Sequence, residues 1–361
     1  MSYAANNSAG LERFSLDLLG TLDHSTDAEY IVYIKKGVDF SKILRDNGIL
    51  KIKVVEVGFG KLWKDIGLFF APRVDAYIFN GPIVPFFFTP VNYFVILHDF
   101  AYRHIKPNSW KEKFTFWLID VLTRQAIRRA KKIITVSEFT KKDLIELYGD
   151  DPGHIVTIYP GFTPIGDIIE ESVAGVRKPY FLHVGTIKER KNILTAVKAF
   201  SLFREGGKND FNLVIVGKVN PESPYVKKLF ELVEELGLKD SVIFTGHITD
   251  GQMSNIYHHA RALLFPSLLE GFGFPVLEAM NCGLPVITSD RGSLAEISHG
   301  AAILVDPLNA GELAAAMKKI IEDQELRMNL VVKGRGRAEQ FSWTKTAREL
   351  EQLIFRDSII G

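Results

Sequence analysis

Short apolar runs recur along the chain, separated by segments in which apolar positions return every three or four residues. Runs such as YFVILHD (93–99), KIITVS (132–137), FNLVIVG (211–217) and PVITSD (285–290) are continuous and rich in β-branched residues. Strands buried on both faces require that pattern. Further strands are expected at 30–36, 51–57, 75–80 and 154–160, then at 179–186, 241–246, 262–267 and 302–307. Segments 39–46, 110–130, 138–148, 192–204, 224–236, 251–260 and 274–282 follow a helical period. Alternation of this kind predicts parallel α/β layers.

The greasiest stretch, 78–97, is broken by Asn80, Gly81, Pro82, Pro85, Pro90 and Asn92. It reads as two buried strands joined by a loop, because spanning a bilayer takes about 20 uninterrupted apolar residues. A turn-rich and then polar segment at 161–178 marks a hinge between two doubly wound domains, 1–165 and 178–342. The tail, 343–361, is helical by pattern and is expected to cross back to the first domain. Open parallel sheets bind ligands beyond the carboxyl ends of their strands. Two such sheets facing each other across a cleft would put His98-Asp99, Gly185-Thr186, Glu270–Phe274 and Asp290–Ser293 at the lip.

Composition narrows the class. The 361 residues are 47% hydrophobic and 24% charged, which excludes disordered, collagen-like and disulfide-framework chains. Lys plus Arg total 44 against 43 Asp plus Glu, so no overall field points to nucleic acid. Cys282 is the single cysteine, which leaves no intramolecular disulfide and suits a reducing compartment. With no apolar core for a signal peptide in MSYAANNSAGLERF, a soluble cytoplasmic protein is expected, at most associated with a membrane surface.

Two stretches carry chemistry. In PSLLEGFGFPVLEAM (266–280) a strand end passes through a glycine turn into a helix with Pro275 in its first turn. Gly271 and Gly273 leave backbone amides open to an anion, while Glu270 and Glu278 suit hydroxyl groups of a sugar or ribose. Taken alone, the glycines equally suit an ordinary turn with Glu278 in solvent. In HVGTIKERKN (183–192), Gly185 ends a strand, and Arg190 and Lys191 stand where the next helix begins. Cations oppose the helix dipole there, so an anionic partner is the economical reading, with a solvated Arg-Lys pair as the plain alternative.

These residues resemble the signature of family-4 glycosyltransferases. EGFGFPVLEAMNCGLPVITSD is similar to their E-x7-E segment, with Glu270 and Glu278 as the two glutamates. GTIKERKN is similar to their donor-phosphate segment, and TVSEFTKKDL to the end of their first domain. The likeness is densest over 179–307 and is greatest to the mannosyltransferase-like branch of bacterial O-antigen and exopolysaccharide synthesis. It implies two Rossmann-like domains facing across a cleft (GT-B) and a retaining, metal-independent hexosyl transfer from a nucleotide-sugar. The branch implies mannose from GDP-mannose and a lipid-linked or oligosaccharide acceptor. A UDP-sugar donor and a nucleotide-sugar epimerase are the alternatives.

Carried over by resemblance, Glu270 holds the sugar hydroxyls and Glu278 the ribose. Arg190 and Lys191 neutralise the diphosphate, with close approach at Gly185 and support from the Phe272 and Gly273 amides. His98 reaches the donor sugar near its anomeric carbon, although a strand-end histidine also serves structure. Asp250 is a candidate for reading a guanine edge. No D-x-D metal motif occurs, no metal or other cofactor is expected, and the nucleotide-sugar is a substrate.

The chain departs from the family pattern at its start. Relatives place a short strand before a glycine-rich loop; here the loop-like Ser8-Ala9-Gly10-Leu11-Glu12-Arg13-Phe14 follows seven mostly small or polar residues, so the first strand reads as missing. Finally, basic residues crowd 103–142, interleaved with Trp110, Phe114, Phe116 and Trp117. That pattern fits an anionic membrane surface or lipid-diphosphate acceptor, and equally a core helix with a solvated basic face.

Overall fold

The computed structural model describes residues 9–25, 28–37, 39–85, 90, 92–107 and 109–359. By their contacts these fall into two units, one within Met1–Gly161 and Phe341–Gly361, the other Phe162–Gln340.

In the first unit, helix α1 (Ala9–Leu22) leads to β1 (Ile31–Lys35), α2 (Phe40–Asp46) and β2 (Lys53–Val57). The short α3 (Leu68–Phe70), β3 (Tyr77–Asn80), β4 (Tyr93–Leu97), α4 (Ala101–His104), α5 (Trp110–Arg129), β5 (Lys132–Thr135), α6 (Glu138–Tyr148) and β6 (Ile155–Thr157) follow. Every strand pair is parallel: β1 pairs with β2, and a separate sheet runs β3-β4-β5-β6. Strand β4 is buried along its whole length, as its unbroken apolar run requires. Serines start the helices behind it: Ser109 accepts from the Glu112 amide and Ser137 from the Thr140 amide. Leu19 of α1 packs with Val32, Ile34, Phe40 and Leu44. The other core of this unit gathers Tyr33 and Val57 with Tyr77, Tyr93, Val95 and Ile133, so both sheets share it.

The second unit runs β7 (Tyr180–Val184), α7 (Ile193–Glu205), β8 (Asn212–Val216), α8 (Pro224–Glu235), β9 (Val242–Gly246), α9 (Asp250–His259), β10 (Leu263–Phe265) and α10 (Phe274–Asn281). It continues with β11 (Val286–Ser289), α11 (Ser293–Ser298), β12 (Ile303–Val305), α12 (Ala310–Glu322) and α13 (Gln324–Ala338). One parallel sheet runs β12-β11-β10-β7-β8-β9. Burying β7 and β8 on both faces accounts for their lack of polar alternation, His183 and Asn212 apart. Helices α7, α8 and α12 cover one face through Phe200, Leu229 and Met317.

The last helix, α14 (Trp343–Ile359), packs on α1 within the first unit. Phe14 meets Trp343 edge-on at 5.3 Å, and Thr346 Oγ1 donates to Tyr159 O at 2.8 Å.

Three sequence readings need adjustment. No helix was expected before β1, yet α1 forms; Phe14, Leu18, Leu19 and Leu22, all buried, are its apolar stripe. Helices α11, α12 and α13 also escaped the pattern reading. The segment read as a hinge packs largely on the second unit: Ser254 Oγ donates to Asp167 O, and Asn212 Nδ2 to Arg177 O. The missing first strand falls on Met1–Ser8, outside the described residues. Among those described, no helix is long and apolar enough to cross a membrane.

Candidate functional site

The second unit gathers most of the expected residues at the carboxyl ends of β7 and β10. Strand β7 ends at Val184, and Gly185 follows at φ +143°. A Cβ on Gly185 would sit 3.3 Å from Lys191 Cε, so the missing side chain leaves room for that lysine. A single 3₁₀ turn, Glu189–Lys191, carries both cations. Asn192 then enters α7 in the left-handed conformation, its side-chain amide donating to Pro266 O and Pro307 O. These bonds tie the turn to the ends of two other strands.

Both cations converge on Glu270. Arg190 Nη1 donates to Glu270 Oε2 at 2.8 Å and to Leu269 O at 3.2 Å. Lys191 Nζ lies 2.6 Å from Glu270 Oε1 and 4.6 Å from the centre of the Phe265 ring. Burial alone would raise the Glu270 carboxyl; Lys191 and Arg190 outweigh that and hold it below its ordinary range. Two cations thus face one carboxylate. The sequence treats the cations and the glutamate as separate determinants, whereas folding makes them one buried cluster.

Behind the cluster stands His183. Its Nδ1 donates to Leu264 O at 2.9 Å, which leaves Nε2 as a lone-pair acceptor. Burial pushes its pKa down to about 4, so it adds no charge. Nε2 and Ser267 Oγ are both buried and make no hydrogen bond within the protein.

The glycine turn is held from behind. Ser293 Oγ donates to Glu270 O at 2.8 Å and to Phe272 O at 2.9 Å. Gly273, at φ +119°, precedes α10, and a Cβ there would strike Leu294 Cδ2 at 2.7 Å. Glu278, one turn into α10, is buried and accepts from Tyr257 Oη at 2.8 Å. The alternative of a solvent-facing Glu278 is thereby removed. Asp250 is exposed in the first turn of α9, whose start is closed by a capping box of Thr249 and Gln252.

His98 belongs to the first unit and follows β4. Its Nε2 donates to Asn80 Oδ1 at 2.5 Å, Asn80 Nδ2 donates to Ser15 Oγ at 2.8 Å, and Phe14 meets the imidazole edge-on at 4.7 Å. Burial pushes this histidine, too, down to about 4.

Tyr257 and Asn192 were not foreseen as site residues. Asn192 had a signal, since it closes the GTIKERKN run; Tyr257 had none, because its partner lies on another element 21 residues away.

The chain matches the model of "Glycosyltransferase Family 4" over residues 55–164 and that of "Glycosyl transferases group 1" over 165–337. It is 30% identical over 229 residues to O-antigen chain mannosyltransferase B of Escherichia coli, a match covering 61% of this chain and 59% of that one. It is also 30% identical over 230 residues to O-antigen chain mannosyltransferase RfbU of Salmonella typhimurium, covering 63% and 61%. The chain thus spans about three-fifths of the length of these two relatives. In structure it is similar to Anabaena HepE, described in complex with UDP and glucose: TM-score 0.73, 19% identity, 98% of this chain and 97% of that one.

Proposed function

Because the chain belongs to the group 1 glycosyltransferases of family 4, we propose that it moves a hexose from a nucleotide-diphosphate sugar to an acceptor hydroxyl with retention of anomeric configuration. The Arg190–Lys191–Glu270 cluster carries this reading. A largely buried site where two cations meet one carboxylate suits a diphosphate, and its carboxylate suits the hydroxyls of the attached sugar.

The sugar C1–O bond to the β-phosphate breaks, and a C1–O bond to the acceptor forms on the same face. The acceptor proton passes to the departing phosphate oxygen, so no separate protein base is required. Arg190 and Lys191 stabilise the charge that develops on the leaving diphosphate, the term worth most in a site of low dielectric. Transfer is metal-independent on this reading, the two side chains doing the work of a divalent ion. Glu278, held by Tyr257, binds the ribose; Gly185 and the amides of Phe272 and Gly273 lie against phosphate or sugar. His98 contacts the donor sugar, and Asp250 reads the base.

For the donor we propose GDP-mannose, in keeping with the two mannosyltransferase relatives, and for the acceptor a lipid-linked or oligosaccharide chain of a surface polysaccharide. The place of action is the cytoplasmic face of a membrane. A UDP-sugar is the second reading, favoured by the UDP and glucose held by HepE.

A thermal-shift panel of GDP, UDP and ADP with their sugars, run in EDTA, tests this reading. GDP-mannose is expected to raise the melting temperature most. A larger shift with a UDP-sugar replaces the donor, and no shift with any nucleotide-sugar overturns the proposal. Turnover of donor to a new sugar nucleotide without acceptor would identify an epimerase instead.

A further inference from the structure

Helix α5 carries apolar side chains on its outer side as well as its inner one, which a helix serving only a core does not need. Its inner side joins the core through Ala126 and Ile127 and carries one polar cluster, in which Asp120 accepts from Arg124 Nε at 3.0 Å and Tyr148 Oη at 2.8 Å, with Arg103 at 3.4 Å. Thr123, Ala126 and Ile127 are buried beside it. The outer side carries Trp110, Phe114 and Trp117, which are 75%, 57% and 58% exposed, and Val121 continues their line. Spacings of four, three and four residues put these side chains on one stripe. At 100° per residue, Arg128 falls on the same line, with Lys111 and Lys113 to either side, all three exposed. The acidic residues of the helix lie elsewhere: Asp120 is paired inward, and Glu112 lies on the side opposite the stripe.

We propose that the outer face of α5 docks on an anionic lipid bilayer, the aromatic rings at the acyl boundary and the basic side chains on head-group phosphates. Tryptophan suits the bilayer interface, having an apolar body and a polar N–H. Juxtaposed basic residues are attracted to anionic head groups. The charge pattern selects lipid over a second copy of the chain, since a symmetric α5–α5 contact would bring Lys113 against Arg128 when antiparallel and each against its own equivalent when parallel. The proposal supplies the surface for the membrane location suggested above and rests on that reading only for the side of the membrane.

Co-sedimentation of the full chain with vesicles of phosphatidylglycerol and phosphatidylcholine, without donor or acceptor, tests it. Binding is expected to weaken with salt and to vanish on phosphatidylcholine alone. Trp110→Ser with Trp117→Ser is expected to weaken binding about tenfold or more. Lys111→Gln, Lys113→Gln and Arg128→Gln together should weaken it about a hundredfold. All five positions are exposed, so circular dichroism should be unchanged, and the nucleotide-sugar thermal shift should persist in both variants. A parent chain that ignores anionic vesicles, or variants that bind as well as the parent, overturns the proposal. So does a dimer abolished by the tryptophan changes in a protein that never binds vesicles. Vesicle binding without any nucleotide-sugar shift would leave this surface standing and remove the donor reading.

Discussion

The two units use the same parallel order with one difference. In the second, β7 lies between β8 and β10, giving β9-β8-β7-β10-β11-β12. In the first, β2-β1 and β3-β4-β5-β6 repeat that order on either side of a break, and among the described residues no strand pairs with both β1 and β3. Side chains span the break: the Tyr33 and Tyr77 rings stack 6.2 Å apart, and Tyr33 Oη donates to Pro72 O. Among the described residues no strand fills the place between β1 and β3, and the matching place in the second unit, β7, carries the cluster. Strand β7, bonded on both sides, delivers His183, Gly185 and the Arg190–Lys191 turn, so the charged residues stand on the firmest part of their sheet. His98 is also set by a strand bonded on both sides, but its partner Asn80 ends β3, an edge.

Substitution at the two strand ends should separate the units most. Lys191→Ala is expected to lower turnover about 100- to 1,000-fold. It also takes from Glu270 one of its two cations while the bond to Arg190 remains, which should cost about 1.5–3 kcal/mol of stability. Lys191→Arg should restore most of the stability but not the rate, and urea melts beside donor kinetics distinguish the two effects. Wild-type turnover in Lys191→Ala would remove the lysine from the site.

Hydrogen exchange probes the sheets directly. Amides of β7 should exchange at least about 100-fold more slowly than those of β1 and β3 that point away from β2 and β4. Equal protection would mean that the break is closed in solution.

Acid gives a smaller difference. Both histidines are held neutral by burial, with pKa pushed down to about 4. The unfolded chain therefore takes up these protons first, and stability is complete above about pH 6.5 and lost as pH falls towards 4. For the fully buried His183 the loss should reach roughly 3 kcal/mol, with less for the half-buried His98. The lowered Glu270 carboxyl adds its own loss, which sets in within the ordinary carboxylate range and grows as pH falls below it. Urea midpoints across this range check the slope, which His183→Gln should flatten.

The smallest effect concerns Cys282. Burial, reinforced by Glu278, pushes its thiol up to about 12, so it should react with iodoacetamide more than about tenfold slower than an open cysteine. Fast alkylation would show that the wall behind Glu278 opens.

Much of this architecture is legible in the chain. Buried parallel strands are written as unbroken β-branched runs, and each of the twelve expected runs holds a strand, shortened at its ends because the last residues turn towards the strand ends where the site lies. Helix α1 was not legible, since its stripe of Phe14, Leu18, Leu19 and Leu22 is embedded among small residues and glycines. For the site, motif spacing placed Arg190, Lys191, Glu270 and Glu278 correctly on turns and a helix. Their partners were out of reach, because a hydrogen bond such as that from Tyr257 to Glu278 leaves no mark in local composition.

What the sequence determined by itself was therefore local: which segments are strands, where their carboxyl ends fall, and which ionisable residues wait there, since periodicity and turn chemistry act over a few residues. Only the tertiary structure decided that Arg190 and Lys191 share Glu270, that His183 stays neutral, that side chains link β1 and β3 with no shared strand among the described residues, and that the aromatic stripe of α5 faces outward. Those outcomes depend on burial and on contacts between distant elements, and the dielectric and neighbours that set them exist only once the sheets have assembled.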